Sequence, residues 1–186
     1  MAHRARIKGS DLYLVIGGFR DVQVNDVESL LRRIGEMAAP CTFQIFDADR
    51  VAGWEHLFMA AVNAYRAFKA GSALSRSLAM EILLYASCRD QISEALEVLG
   101  VSKSTKNIAL LVTSKEEEVA KGCFERVSKL LGAEDDSLLL VSEEKFRILL
   151  DVYGVTVEEL EAVGGDPHEA LTSLLIERGA LLAVQR

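Results

Sequence analysis

The sequence lacks the features that mark fibrous, disordered or membrane proteins. Its 186 residues include 2 prolines and 13 glycines, too few for a collagen-like or low-complexity chain. No stretch approaches the roughly 18 uncharged apolar residues of a membrane-spanning helix, and the basic start of the chain lacks the apolar core of a signal peptide. Half of the residues are hydrophobic, which suits a buried core. We therefore expect a cytoplasmic protein of one domain, residues 1–186, with no membrane partner.

Cysteine pairs, metal-binding motifs and phosphate-binding loops are missing as well. The three cysteines, Cys41, Cys88 and Cys123, lie far apart and form no C-x-x-C pair, so we expect free thiols in a reducing compartment. The three histidines are scattered without ligand spacing, so we predict no metal site. The patterns GxGxxG, GxxxxGK[ST], GxSxG and HExxH are absent, and we predict no cofactor.

Two carboxylates and a histidine form the arrangement most compatible with an enzyme. Asp47 and Asp49 follow a predicted strand, and His56 comes soon after them. Such a pair of carboxylates resembles a general acid/base or metal dyad. A turn and helix cap after a strand is the more typical role of these residue types. A small hydrolase using Asp47, Asp49 and His56 therefore stays open as an alternative.

The charges are unevenly distributed. Residues 1–114 carry 13 Lys+Arg and 12 Asp+Glu, a net charge of +1, whereas residues 115–186 carry 8 and 16, a net charge of −8. Residues 60–90 carry four basic and two acidic side chains among strong hydrophobes. Glu81 lies on an otherwise apolar helix there, and burial of its carboxylate would require a partner such as Arg76 or Lys69. A local basic patch in an acidic protein can still bind an anionic partner.

The apolar patterns predict an α/β (α+β) fold, with a small, mostly antiparallel sheet of three or four strands surrounded by about seven helices. We predict strands at 12–16, 41–46, 107–113 and 138–141, with Gly17-Gly18 ending the first. Helices are predicted near 26–38, 54–70, 75–85, 90–99, after Ser114, 142–154, 156–163 and from 166 onward. Their expected caps include Asn25, Ser114, Ser142, Thr156 with Glu159, and Asp166 before Pro167, while Gly179 ends or interrupts the last helix.

Three ordered stretches resemble one known family. The first is Phe43-Gln44-Ile45 with Asp47-Ala48-Asp49-Arg50-Val51-Ala52, then His56-Leu57 and Ala60-Ala61-Val62-Asn63-Ala64. The second is Met80-Glu81-Ile82-Leu83-Leu84-Tyr85-Ala86-Ser87, then Gln91-Ile92-Ser93-Glu94-Ala95 and Gly100. The third comprises Leu150, Tyr153-Gly154-Val155, Glu158-Glu159, Val163-Gly164, then Ala170 and Leu174 to Arg178. Over roughly residues 12–184 the chain resembles the small kinase-binding subunit of the KEOPS complex, called the TPRKB family in eukaryotes.

Two positions depart from the family pattern. The glycine that usually follows the motif serine is Cys88, and the usual arginine before Gln91 is Asp90, with Arg89 one position earlier. Any RNA contact made by that family arginine would therefore have to come from Arg89 or be weakened.

The resemblance implies a non-catalytic accessory subunit. Family members dock on a small atypical kinase/ATPase subunit, which in turn binds the transferase that makes N6-threonylcarbamoyladenosine in tRNAs reading ANN codons. The archaeal-type subunit also binds tRNA, mainly through its single-stranded 3′ CCA end. A single-stranded end needs a few cations and a shelf for its bases, and Tyr65, Phe68 and Tyr85 are candidates for that shelf. A protein-interaction module without RNA affinity is the other alternative.

The expected site residues follow from motif position, charge and apolar pattern, and none of them is catalytic. The tRNA-binding candidates are Asn63, Arg66, Lys69, Arg76, Arg89 and Gln91. The kinase-binding candidates are Leu171, Leu174, Leu175, Leu181 and Leu182, on the last helix and in the apolar tail.

Overall fold

The structure of the protein is a computed structural model, and it describes residues 1–185. Four strands and eight α-helices occur in this range, and the α+β fold class is confirmed. The strands are β1 (His3–Arg6), β2 (Tyr13–Phe19), β3 (Thr42–Asp47) and β4 (Ile108–Ser114). The helices are α1 (Val27–Ala38), α2 (Trp54–Ala70), α3 (Leu78–Ser87), α4 (Ile92–Leu99), α5 (Glu117–Leu131), α6 (Glu143–Tyr153), α7 (Val157–Val163) and α8 (Pro167–Leu181).

The chain divides into two compact units, each built from two segments. The first unit comprises residues 1–48 and 101–139, and the second comprises residues 49–100 and the segment from 140 onward. The expectation that residues 1–186 form one domain stays a prediction. Within residues 1–185 no helix is long and apolar enough to cross a membrane.

The first unit holds the sheet, in the order β1-β2-β4-β3 with every neighbouring pair antiparallel. Strand β4 is apolar along most of its length, because it lies in the interior of the sheet. Helices α1 and α5 pack on the face of the sheet that carries Val15 and Val112 and form a buried cluster with it. That cluster also contains Phe19, Ile34 and Phe124. The unit therefore has its own hydrophobic core.

Two strand predictions were wrong. Gly17 and Gly18 do not end β2 but lie within it, before Phe19. A close approach explains the glycines, because a Cβ at Gly17 would lie 2.6 Å from the Phe124 ring and one at Gly18 would lie 2.6 Å from the Asp135 carbonyl oxygen. The predicted strand 138–141 is absent, because residues 136–139 form a 3₁₀ turn in which the Asp135 carboxylate accepts the Ser137 backbone N–H. Strand β1 was not predicted, because its four residues carry no apolar alternation.

The expectation of three free thiols was also wrong. Cys41, just before β3, and Cys123, on α5, form a disulfide across 82 residues of sequence, while Cys88 is free. No spacing rule connects two cysteines that far apart, so only the packing of α5 against the sheet brings them together.

The second unit is helical in the residues described. Helices α2 and α3 pack against each other, and α8 packs against both. The predicted caps of α6, α7 and α8 are confirmed, including the reciprocal Thr156–Glu159 capping box and Asp166 before Pro167. In the first unit, Asp26 caps α1 in place of Asn25, and α5 begins after Glu116 and not directly after Ser114.

Gly179 does not end α8, which continues through it to Leu181. A Cβ at this position would lie 2.7 Å from the carbonyl oxygen of Tyr85, so the missing side chain allows α8 to approach α3 closely.

Candidate functional site

Helices α2 and α3 run antiparallel, and this decides where the predicted RNA-binding residues lie. His56, in the first turn of α2, has its Nε2 atom 2.8 Å from the carbonyl oxygen of Ala86, near the end of α3. The opposite ends of the two helices are joined by residues 71–77. The ten residues of α3 span about 15 Å. The predicted residues therefore fall into two groups at opposite ends of α3.

The loop end of the helix pair holds three of the predicted cations. Arg66 and Lys69 are exposed in the last turns of α2, and Arg76 is exposed in the loop. The Lys69 Nζ atom lies 5.6 Å from the centre of the Tyr65 ring. Phe68 is exposed, and the Leu74 side chain is 51% exposed. This end therefore combines positive charge with accessible apolar surface.

The buried carboxylate of Glu81 holds the loop that carries Arg76. The side chain is fully buried in α3, and its Oε2 atom accepts the backbone N–H of Ser75 at 2.8 Å. Ser77 caps α3 by accepting the N–H of Met80. We expected Glu81 to pair with Arg76 or Lys69, and the contact found is to the backbone of the residue before Arg76. The carboxylate thus fixes the loop while the Arg76 side chain faces solvent.

The second group lies at the turn between α3 and α4. Cys88 has the left-handed conformation (φ 56°, ψ 36°), which explains the glycine that the family resemblance implies at this position. Arg89 Nη1 donates to the carbonyl oxygen of Cys88 at 3.1 Å, and its Nε lies 3.9 Å from Glu94 Oε2. Gln91 is exposed at the N-cap of α4, where Ile92 and Leu96 expose apolar side chains one turn apart.

The remaining predicted residues belong to neither group. Asn63 is half-buried in the middle of α2. Tyr85 is buried, so its ring is not available as a shelf for bases. Of the three aromatic candidates, Tyr65 and Phe68 reach the surface.

His56 is a structural residue in this environment. Its Nδ1 accepts the backbone N–H of Ala52 at 3.1 Å, and Nε2 donates to Ala86, so both ring nitrogens are engaged by backbone groups. Burial, with a smaller contribution from the charge of Lys145, lowers the pKa of His56 to about 4. The imidazole is therefore neutral near pH 7, and neither nitrogen is left to exchange a proton with a substrate.

The two carboxylates of the alternative enzyme site lie in structured turns. Asp47 ends β3, and its Oδ2 atom accepts the Thr105 hydroxyl at 3.4 Å. Asp49 lies in the 3₁₀ turn Ala48–Arg50. Residues 1–185 contain no group of three His, Cys, Asp or Glu side chains arranged to hold a metal ion.

The five leucines predicted to bind a kinase differ in accessibility. Leu171 and Leu175 are fully buried in the second unit, and Leu182 is buried as well. Leu174 is half-buried, and Leu181 is 45% exposed at the end of α8. Of the five, Leu174 and Leu181 can therefore reach a partner without a change in the packing of α8, and the docking role of the set stays a prediction.

An apolar groove in the same unit was missed by the sequence reasoning. It has a volume of about 310 Å³ and lies where α6, α7 and the start of α8 meet. Its lining includes Phe146, Leu150, Val157 and Leu160, with Glu161 at its edge. Val157, the first residue of α7, is 60% exposed. An apolar residue directly after the capping Thr156 was the signal in the sequence that could have indicated this exposed apolar surface.

Comparison with known proteins gives two matches. Residues 19–181 match the sequence profile of a family described as "Kinase binding protein CGI-121". The "Regulatory protein Cgi121" of the archaeon Methanocaldococcus jannaschii is 29% identical over 143 residues, which cover 76% of this chain and 85% of that protein. Most of β2 and all of β1 precede the range that the family profile matches.

Proposed function

The chain belongs to the CGI-121 family of kinase binding proteins, and we propose that it is a non-catalytic accessory subunit of the KEOPS complex. In this role it binds the kinase/ATPase subunit and recruits tRNA through the 3′ CCA end, in the cytoplasm. Through the kinase it acts indirectly with the transferase that makes N6-threonylcarbamoyladenosine in ANN-decoding tRNAs.

The RNA-binding part of the proposal rests on the loop end of the α2–α3 pair. Arg66, Lys69 and Arg76 are exposed there beside the exposed side chains of Phe68 and Leu74. A single-stranded RNA end is bound by a few phosphate contacts together with apolar or aromatic surface on which its bases stack. This juxtaposition is the single observation that carries tRNA recruitment.

The turn before α4 provides a weaker, second set of contacts. Arg89 has part of its donor capacity used by the Cys88 carbonyl and lies near the Glu94 carboxylate, so an RNA phosphate would compete with both. Gln91 is exposed and can contact a base edge or a phosphate. Asp90 adds a negative charge at the position where the family resemblance implies an arginine. We therefore assign the larger share of RNA affinity to Arg66, Lys69 and Arg76.

Kinase binding is supported by the family and by exposed apolar surface in the second unit. The family description and the name of the archaeal relative denote a kinase binding and a regulatory protein. Leu174 and Leu181 on α8 and the groove beside Val157 are the surfaces that we propose for docking, since contiguous exposed apolar surface commonly marks an interface.

The RNA proposal is tested by gel-shift titration with tRNA, intact or lacking its CCA, at two salt concentrations. Substitution of Lys69 and Arg76 by Ala should weaken binding of intact tRNA about tenfold and reduce the salt slope by about 1.4, because each phosphate contact to a single strand contributes about 0.7. The matched control, Lys103→Ala with Lys129→Ala, removes two exposed charges elsewhere and should leave the CCA dependence intact. Equal binding of both RNAs by the unaltered protein would overturn CCA recognition.

The kinase proposal is tested by pull-down of the purified kinase subunit. Leu181→Asp and Val157→Asp should each reduce the amount of kinase retained, because each places a charge on a surface that would be buried on docking. Leu31→Asp, at a partly exposed position on α1, is the control. Full retention by both variants would contradict docking through α8 and the groove.

A protein-interaction module without RNA affinity is the second candidate. It is favoured by Asp90 and by the net charge of −8 over residues 115–186, both of which oppose an anionic ligand. Unchanged migration of every tRNA at low salt, together with retention of the kinase, would establish it.

A further inference from the structure

Strand β1 lies at one edge of the sheet and carries the sequence His3-Arg4-Ala5-Arg6. Its pairing with β2 places Arg4 opposite Val15 and Arg6 opposite Tyr13. Because side chains alternate along a strand, Arg4 and Arg6 point to the same face as Val15 and Tyr13. Both arginines are exposed there.

Arg6 is held in a defined position. Its guanidinium carbon lies 5.3 Å from the centre of the Tyr13 ring, and its Nε donates to the carbonyl oxygen of Ser10 at 2.9 Å. Stacking and this hydrogen bond orient the guanidinium while its terminal nitrogens remain available as donors. A guanidinium plane fixed in this way can receive both a phosphate oxygen and a stacked base.

Arg4 is a second, uncommitted cation. Among the described residues 1–185 it has no hydrogen-bond or ion-pair partner, and it stands about 7 Å along the strand from Arg6. Lys8 follows in the adjoining turn, and residues 1–8 contain no acidic side chain. Three cations thus lie within five residues of a chain whose net charge is −7.

The two arginines and Tyr13 line a shallow depression of about 150 Å³, together with Ala5, Leu14, Val15 and Glu117. Arg4 and Arg6 make the depression positively charged on the side of β1, and Glu117, the first residue of α5, places a carboxylate in its lining. A single-stranded polyanion with planar bases requires cations for its phosphates and a surface on which a base can stack. Arg4 and Arg6 supply the cations, and the Arg6 guanidinium on the Tyr13 ring supplies the surface.

We propose that the exposed side chains of Arg4 and Arg6 on β1, together with the half-buried Tyr13 on β2, bind a single-stranded segment of RNA through its phosphodiester backbone and one stacked base. The proposal rests on the proposed function in that the ligand is RNA. It adds a contact surface that does not read the CCA end and that lies before the residues matched by the family profile.

The test uses fluorescence anisotropy with a labelled polyuridine RNA of about 12 nucleotides, a length that single-stranded binding sites accommodate. Arg4→Ala with Arg6→Ala should weaken binding about tenfold and reduce the salt slope by about 1.4, the value for two phosphate contacts. Arg6→Lys should retain the salt slope but lose affinity, because lysine keeps the charge and loses the stacked plane. Glu117→Gln should strengthen binding, because it removes a negative charge from the same depression.

The matched control is Lys103→Ala with Lys106→Ala, two exposed cations of the same unit, which should leave binding unchanged. Equal losses in both double variants would show nonspecific charge attraction and overturn the proposal. Preferential binding of a polyglutamate peptide over RNA would overturn it in favour of a protein partner at this edge.

The measurements distinguish failure of the β1 surface from failure of CCA recruitment. Loss of polyuridine binding in the β1 variant, with no CCA dependence of tRNA binding, would support the β1 surface and overturn CCA recruitment. Unchanged polyuridine binding in the β1 variant, with weaker tRNA binding in the Lys69→Ala, Arg76→Ala protein, would overturn the β1 surface and support tRNA recruitment through the α2–α3 loop. Absence of any RNA binding by the unaltered protein would overturn both.

Discussion

At the scale of single residues, the imidazole of His56 is held neutral by the groups around it. The ring joins the start of α2 to the end of α3 through two backbone hydrogen bonds, and the hydroxyl of Tyr153 also reaches the carbonyl oxygen of Ala86, at 3.4 Å. Both Tyr153 and His56 are buried. Protonation would place a charge in this interior and would convert Nδ1 from an acceptor into a donor facing the N–H of Ala52.

This environment makes the stability of the protein depend on pH. The folded pKa of about 4 lies below the ordinary value of 6.5, so the unfolded state binds more protons between these two values. The contribution of His56 is therefore fully present above about pH 6.5 and is lost as the pH falls to 4. The loss amounts to something on the order of 3 kcal/mol.

Urea denaturation at pH 7, 5.5 and 4, with NMR titration of the imidazole, measures this effect. His56→Gln should flatten the fall in unfolding free energy between pH 6.5 and 4. His168→Gln, which alters a half-buried histidine, should leave it in place. An imidazole that titrates near pH 6.5 in the folded protein would contradict the assignment.

At the scale of secondary structure elements, the close approach of α8 to α3 depends on a missing side chain. Gly179 lies inside α8, where glycine is intrinsically unfavourable, and its Cα faces the carbonyl oxygen of Tyr85. The contact lies one turn from Leu175, whose carbonyl oxygen lies 3.4 Å from the Cys88 thiol. Burial raises the pKa of that thiol to about 11, so it is protonated and able to donate.

Gly179→Ala should destabilise the protein by about 1–3 kcal/mol, because the new Cβ would force α8 away from α3. Gly122→Ala is the matched control, since Gly122 lies within α5 and its added Cβ would approach nothing nearer than Arg126 Nη1 at 3.8 Å. That substitution should stabilise the protein by up to about 1 kcal/mol. Thermal unfolding of both variants measures the difference, and equal shifts would show that the α8–α3 approach is not close in solution.

At the scale of the whole molecule, the chain leaves the first unit after residue 48 and returns at residue 101. The Cys41–Cys123 disulfide joins the two segments of that unit across this excursion. A crosslink that closes so long a loop restricts the unfolded chain strongly.

Reduction of the oxidised protein should lower its free energy of unfolding by about 4.5 kcal/mol, the chain-entropy value for a loop of this length. Denaturation with and without a thiol reductant measures the change. Cys88→Ser should retain the response to reductant, whereas Cys41→Ser should abolish it. The same stability for oxidised and reduced protein would show that the bond adds no constraint.

Local patterns in the sequence determined the fold class, most helix boundaries and the family. The helices α6, α7 and α8 begin where capping residues predict, and α2 begins where apolar spacing predicts, because those signals act within a few residues. The central motif around Glu81 and Gln91 indicated the family without any structure, and the match over residues 19–181 confirms it.

Only the tertiary structure decided which side chains are available for function. It separated the predicted RNA residues into two groups at opposite ends of α3, buried Leu171 and Leu175, paired Cys41 with Cys123, and continued β2 through Gly17 and Gly18. It also placed Arg6 on Tyr13 in a strand that the pattern did not predict. The burial of the leucines, the cysteine pairing and the continuation of β2 depend on contacts between residues far apart in sequence, and the pattern along one segment does not encode what packs against it.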